Sequence, residues 1–239
     1  MTQMDNAIPE YAVAQAPATE RSAFIRRTYA HLAVAILAFA GLEWLLLVPL
    51  QQYTIPLIYK MVSSGMGWLL VLGLFMVVGW IADKWARSDR SRGMQYAGLA
   101  LYVVAEAIIF LPLLFVAAFY TTPDVIPTAA ILTLGLFAGL TGTVFITKKD
   151  FSFLRGILMV GGFVAMGLIV CALLFGFELG TIFSVAMIGL AGGYILYYTS
   201  AVMKHYRTDQ HVAAALALFA AVALMFWYVL RLLIALNRR

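Results

Sequence analysis

Residues 95–120, QYAGLALYVVAEAIIFLPLLFVAAFY, form an apolar run with one carboxylate, Glu106, near its middle. At 1.5 Å of rise per helical residue the run is long enough to cross the roughly 30 Å hydrocarbon core of a bilayer. A carboxyl at that depth must be neutral, paired or wetted to be tolerated, so it marks a candidate functional position.

The rest of the 239-residue chain has the same character. It is 64% hydrophobic and only 11% charged, with a mean hydropathy of +0.96, and so has too little polar surface to cover a water-soluble globule. Apolar runs place seven spans at about 30–48, 66–82, 95–119, 126–147, 154–176, 179–203 and 211–236. Backbone polar groups in hydrocarbon must be satisfied within their own segment, and the alternating strands of a barrel are missing, so the spans are helices. The fold class is an all-α, polytopic bundle of seven transmembrane helices over residues 21–239. Residues 1–20, polar and rich in Ala and Pro, read as a disordered cytoplasmic tail without a cleavable signal. Residues 49–65, PLQQYTIPLIYKMVSSG, contain two prolines and read as an interfacial loop.

Of the 16 Lys and Arg residues, twelve fall on one side: Arg21, Arg26, Arg27, Lys84, Arg87, Arg90, Arg92, Lys148, Lys149, Arg155, Lys204 and Arg207. Lys60, Arg231, Arg238 and Arg239 fall on the other. This bias predicts a cytoplasmic N-terminus and, with seven spans, an external C-terminus. The Arg238–Arg239 pair dissents, and a re-entrant last segment would return it to the cytoplasm. Because the basic residues sit at span ends, the net charge of +5 does not point to nucleic acid. The one cysteine, Cys171, excludes an intrachain disulfide or a cysteine metal cluster and reads as a small buried hydrophobe.

Small residues mark where helices are expected to approach closely: the pairs Gly135/Gly139 and Gly189/Gly193, and the alanines between Ala213 and Ala221 in the last span. An alanine-rich helix wants neighbours, which puts the last span inside the bundle. Two carboxylates fall clearly within spans, with Glu106 roughly 17 Å and Glu43 roughly 20–24 Å from the cytoplasmic end, while Arg231 lies roughly 30 Å along the last span. If the first, third and seventh spans touch, Glu43, Glu106 and Arg231 form a charge-sharing cluster able to sense protons or pass an ion. In the plainer reading Glu43, beside Trp44, reaches the outer headgroups and Glu106 is a hydrogen-bonded core residue. In the connection TKKDFSFL, Lys148 and Lys149 complement a helix carbonyl end, and Asp150 or Ser152 is placed to cap the next helix.

Enzymatic readings lack residues. No G-x-S-x-G, HExxH, aspartate pair or glycine-rich phosphate loop accompanies the spans, and His31, His205 and His211 all lie at span ends. The expectation is a non-enzyme with neither catalytic residues, metal site nor cofactor.

Residues 21–39 (RSAFIRRTYAHLAVAILAF), residues 95–114, the run Ala138-Gly139-Leu140-Thr141 leading into TKKDFSFL, and GYILYYTS at 193–200 together resemble the Bax inhibitor-1 family, best its bacterial YccA-like branch. The resemblance implies seven helices with the last surrounded by the other six, and a multi-pass protein of the bacterial inner membrane. It also implies association with pH-sensitive calcium leak, with suppression of cell death in eukaryotes and, in the YccA-like branch, with restraint of the membrane-anchored FtsH protease. Conducting members carry a carboxylate pair in the sixth and seventh spans. Here those positions are Tyr198 and, by spacing, Met225, neither of which supplies the charged oxygens calcium prefers. The function expected first is therefore modulation of a membrane protease or stress response by protein interaction. The alternative is a calcium or proton leak that uses Glu106 and Glu43 in place of the absent pair.

Overall fold

The computed structural model describes residues 12–89 and 91–237. Each long apolar run closes into a helix: α1 (Ala18–Leu47), α3 (Gly65–Ala86), α4 (Arg92–Tyr120), α5 (Val125–Thr147), α6 (Leu154–Phe175), α7 (Thr181–Lys204) and α8 (His211–Asn237). Among the described residues these are the seven helices long and apolar enough to span a membrane. Serines mark two of the starts. Ser64 accepts from the Gly67 amide at 3.0 Å and Ser91 from the Met94 amide at 3.1 Å, each satisfying an orphan N–H of a first turn.

Residues 49–65 are not a loop. Gln51–Val62 forms α2, whose buried residues Thr54, Ile58 and Met61 line one stripe while Tyr53, Leu57 and Tyr59 stay exposed. Twelve residues cover only about 18 Å, so α2 cannot span. The Thr54 hydroxyl donates to the Leu46 carbonyl at 2.9 Å and ties α2 to the end of α1. The prolines that suggested a loop are accommodated, one before the helix and Pro56 within it.

The last helix forms the axis of the bundle. Ala213, Ala214, Ala215, Leu218 and Leu230 on α8 have no exposed surface, and α8 packs on α7, α1, α5, α4 and α3. Its alanines let five neighbours approach at once. The helix is continuous for 27 residues, and the Asn237 amide donates to the Thr122 hydroxyl in the α4–α5 connection, so α8 crosses fully and is not re-entrant. Arg238, Arg239 and Arg90 lie outside the described residues. The arrangement differs from six helices around one in a single respect: α6 packs on α7 and α3 and stands off from α8.

The expected glycine contacts are mostly elsewhere. A β-carbon at Gly135, Gly139 or Gly189 would meet nothing within 4 Å. The close approaches are instead Gly98, where such a carbon would lie 2.5 Å from the Ala82 carbonyl oxygen, and Gly65, 2.8 Å from the Leu173 carbonyl. Gly193 alone of the two pairs is tight, against Leu158 at 2.7 Å. Cys171, expected inside, is exposed on the outer face of α6.

Two features organise the end of the bundle that carries most of the basic residues. Of the expected tail, residues 1–11 lie outside the described residues, but residues 12–17 form a docked strap, and α1 already begins at Ala18. Within the strap Val13–Gln15 makes a 3-10 turn, Val13 is fully buried, and its amide donates to the Tyr206 carbonyl at 2.9 Å. The α5–α6 connection turns through Lys148, held at φ 54°. Neither Asp150 nor Ser152 caps α6, whose N-cap position is Phe153. Asp150 instead accepts from the Ser152 amide at 2.9 Å and lies 3.1 Å from His205 Nε2, while the Phe151 amide donates to Ser200 Oγ at 2.9 Å. The Ser152 amide, then His205, hold the Asp150 carboxyl down at about 2, since donors to the charged form favour it.

Candidate functional site

Because α6 stands off from α8, a cavity of about 860 Å³ opens between α3, α4, α6, α7 and α8. It runs from the α6–α7 connection, where Glu178 and Arg231 line it, down to Tyr198. Thr181 to Tyr198 is about 26 Å of helix α7, so the cavity penetrates most of a membrane thickness from the end opposite the strap. We call it the vestibule. Its wall carries hydroxyls at Tyr102, Ser184, Tyr194 and Tyr198, and one carboxyl at mid-depth, Glu106.

Glu106 sits at the centre of α4, its carboxyl interacting with the Tyr102 hydroxyl one turn earlier. That pairing follows from the i, i+4 spacing, which puts both side chains on the vestibule face. Glu43 also points inward. It continues the buried stripe Phe24, Thr28, Leu32, Ala35 and Phe39 of α1, is 6% exposed, and does not reach the headgroups as Trp44, 62% exposed, does. Among the described residues neither Glu43 oxygen has a hydrogen-bond partner, and Glu43 does not line the vestibule. Arg231 donates to the Leu179 carbonyl at 3.4 Å.

Of the expected cluster, Glu43 and Glu106 lie close enough to act on each other electrostatically, whereas Arg231 is bonded to the Leu179 carbonyl, and among the described residues no ion pair joins any of the three. Glu106 and Arg231 share the vestibule at different depths, and Glu43 lies outside it. The two positions that match the family's carboxylate pair also part. Tyr198 forms the vestibule floor, whereas Met225, 1% exposed, is packed away from it, its Cε 3.8 Å from where a Gly192 β-carbon would sit.

Beneath the floor the bundle is closed. Tyr198 stacks on Tyr194 at 6.0 Å, and the Tyr194 hydroxyl donates to the Leu158 carbonyl at 3.0 Å. Tyr206 follows, buried and interacting with Arg87, whose Nε donates to both Asp83 oxygens at 2.9 and 2.8 Å. Tyr198, Tyr206, Arg87 and Asp83 thus make a plug between the vestibule and the basic end. Reading the sequence for in-span charges passes over the tyrosines. The signal available was Tyr102 one helical turn from Glu106.

Chemically, the vestibule offers one carboxyl at mid-depth, Glu106, a second at its mouth, Glu178, a file of neutral hydroxyls and a closed floor. Such a wall can bind and relay a proton, whereas the several charged oxygens a calcium ion prefers are not gathered at one place.

A family model described as "Inhibitor of apoptosis-promoting Bax1" matches residues 21–239. Among curated proteins, the chain is 32% identical over 106 residues to one from Pseudomonas aeruginosa named "Uncharacterized protein PA2604". The alignment covers 43% of this chain and 46% of that protein, so the chain spans about half the length of the relative it matches.

Proposed function

The chain belongs to the Bax inhibitor-1 family of membrane proteins, and from that premise we propose that it is a gated leak pathway for protons or small cations, with Glu106 as the binding group. One observation carries the reading: a cavity about 860 Å³ in size places a single carboxyl at mid-membrane and stops at a tyrosine floor. A carboxyl kept in hydrocarbon without a cation partner is costly, and lining a cavity is the usual reason it is kept. The absence of carboxylates at Tyr198 and Met225 favours protons over calcium as the transported species. With the orientation suggested by the basic residues, the vestibule opens outward from the bacterial inner membrane and the plug faces the cytoplasm.

Proteoliposomes with a pH-sensitive dye inside test this. Glu106→Gln abolishes a pH-dependent flux seen in the unaltered protein. Unchanged flux in Glu106→Gln overturns the proposal. Access gives a second handle: with Cys171→Ser as background, Ser184→Cys reacts with a membrane-impermeant thiol reagent added from the α6–α7 side and not from the other. Equal reaction from both sides rules out a closed floor.

The second reading is modulation of a membrane-anchored protease of FtsH type. The observation that favours it is the ordered surface at the basic end, where Asp150 pins the α5–α6 connection to α7 and leaves Lys148 and Lys149 exposed. Crosslinking in native membranes that returns no protease speaks against it.

A further inference from the structure

The vestibule leaves unexplained a second, lipid-facing groove of about 470 Å³ between α1 and α4. Both helices run in the same direction, and at one level His31 stacks on Tyr96, with ring centroids 5.5 Å apart. From there toward the opposite end the groove is lined only by aliphatic side chains, including Val34, Ala38, Ala100 and Val104. Small alanines on both helices hollow it out. On α1 it extends from Ala30 to Leu42, about 18 Å, slightly more than half of a roughly 30 Å hydrocarbon core. The groove is thus as deep as one leaflet and opens to the bilayer, with Val34 64% and Val104 44% exposed.

The polar end of the groove is positively charged. One turn below the stacked pair stand Arg27, four residues before His31, and Arg92, four before Tyr96, both exposed. His31 Nδ1 donates to the Arg27 carbonyl, because a carbonyl can only accept. His211, at the start of α8, lies edge-on to His31 at 5.0 Å and is 6% exposed, and among the described residues its Nδ1 has no hydrogen-bond partner. Arg27, Arg92 and His31 all act electrostatically on His211. The nearby carboxylates are committed elsewhere: Arg207 holds Asp209 at 2.6 Å and Asp89 at 2.9 Å. Among the described residues neither Arg27 nor Arg92 is in an ion pair.

We propose that this groove binds one anionic phospholipid of the leaflet on the basic side, with an acyl chain between α1 and α4 and its phosphate between Arg27 and Arg92. Charge complementarity and the match to one leaflet's depth select that occupant. A neutral lipid leaves two adjacent arginines uncompensated, and a protein segment would have to enter hydrocarbon to fill an aliphatic groove. Basic pockets between spanning helices recognise anionic headgroups in this way.

The test is native mass spectrometry of the full chain in neutral detergent, titrated with phosphatidylglycerol and, separately, with phosphatidylcholine of the same acyl chains. Phosphatidylglycerol is retained at far lower concentration. Arg27→Gln/Arg92→Gln weakens its binding roughly 30-fold, about fivefold for each cation near an anionic headgroup, and brings it to the phosphatidylcholine level. Ala100→Phe, which fills the groove from an exposed position, removes retention of both lipids. Two results overturn the proposal: an undiminished preference in the double arginine variant, or displacement of the lipid by millimolar inorganic phosphate, which identifies a free-anion site.

Discussion

Replacing Gly98 by alanine tests how the bundle is held together. Gly98 faces α3, and the added β-carbon would lie 2.5 Å from the Ala82 carbonyl oxygen, 2.6 Å from the Ala86 nitrogen and 3.0 Å from the Trp85 β-carbon. Two of these three are backbone atoms of a regular helix, which no rotamer change can move aside. Ordinary contact begins at 3.4 Å, so α3 and α4 must separate by close to an ångström. Forcing a methyl into a packed interface costs about 1–3 kcal/mol, partly offset by the gain of up to about 1 kcal/mol from alanine's better helix propensity. A net loss of about 1–2 kcal/mol corresponds to about 2–8 °C in Tm for a chain of this size. Thermal unfolding of purified protein in a fixed detergent reads this directly. Gly139→Ala, where nothing stands within 4 Å, is the control and leaves Tm unchanged or slightly raised. Equal stability of Gly98→Ala and the unaltered protein refutes the reasoning, as does a loss for Gly139→Ala as large as that for Gly98→Ala.

Two further outcomes follow from the basic end. Asp150 is held at about 2 against 3.8 for a free carboxyl. A folded value below the unfolded one means that its anchoring is complete above about pH 4 and is lost as pH falls toward 2. The amide resonance of Ser152, bonded to Asp150 Oδ1, therefore titrates with a midpoint near 2, and a midpoint near 4 contradicts the anchored geometry. Val13→Asp undocks the strap, since one amide bond worth about 1 kcal/mol and a valine burial worth about 1.5–3 kcal/mol cannot compensate a buried unpaired carboxylate. Hydrogen exchange over residues 12–16 rises to unstructured rates while α1 stays protected. Unchanged protection there sinks the prediction.

Most of the fold was legible because length and hydropathy act at every residue of a span. The central position of α8 was visible in its alanines, since only small side chains let so many helices approach one axis. Gly135 and Gly139 misled because the same spacing serves equally on a lipid-facing surface, and which face of a helix turns inward depends on neighbours that local sequence does not specify. Residues 49–65 misled because α2 carries Pro56 in its interior, where burial of Thr54, Ile58 and Met61 offsets the one backbone bond that proline removes. At the site, Glu106 stands out in the sequence as a carboxylate in the middle of a span, but nothing in the sequence signals the vestibule. Its existence depends on α6 standing away from α8, a matter of packing distance without a residue signature. Glu43 shows the limit most sharply. Its place four residues beyond Phe39 puts it on the buried stripe, yet proximity to Trp44 and the helix end argued equally for the headgroups.

The strap at residues 12–17 works as a tie. Ala12 pairs antiparallel with Arg207, and the Val13 amide bonds the carbonyl of Tyr206, the residue whose ring meets Arg87 beneath the vestibule floor. The strap thus joins the α7–α8 connection to the first turns of the 30-residue α1. Because the strap packs on both α7 and α1, it ties the start of the chain to the closure and to the wall together.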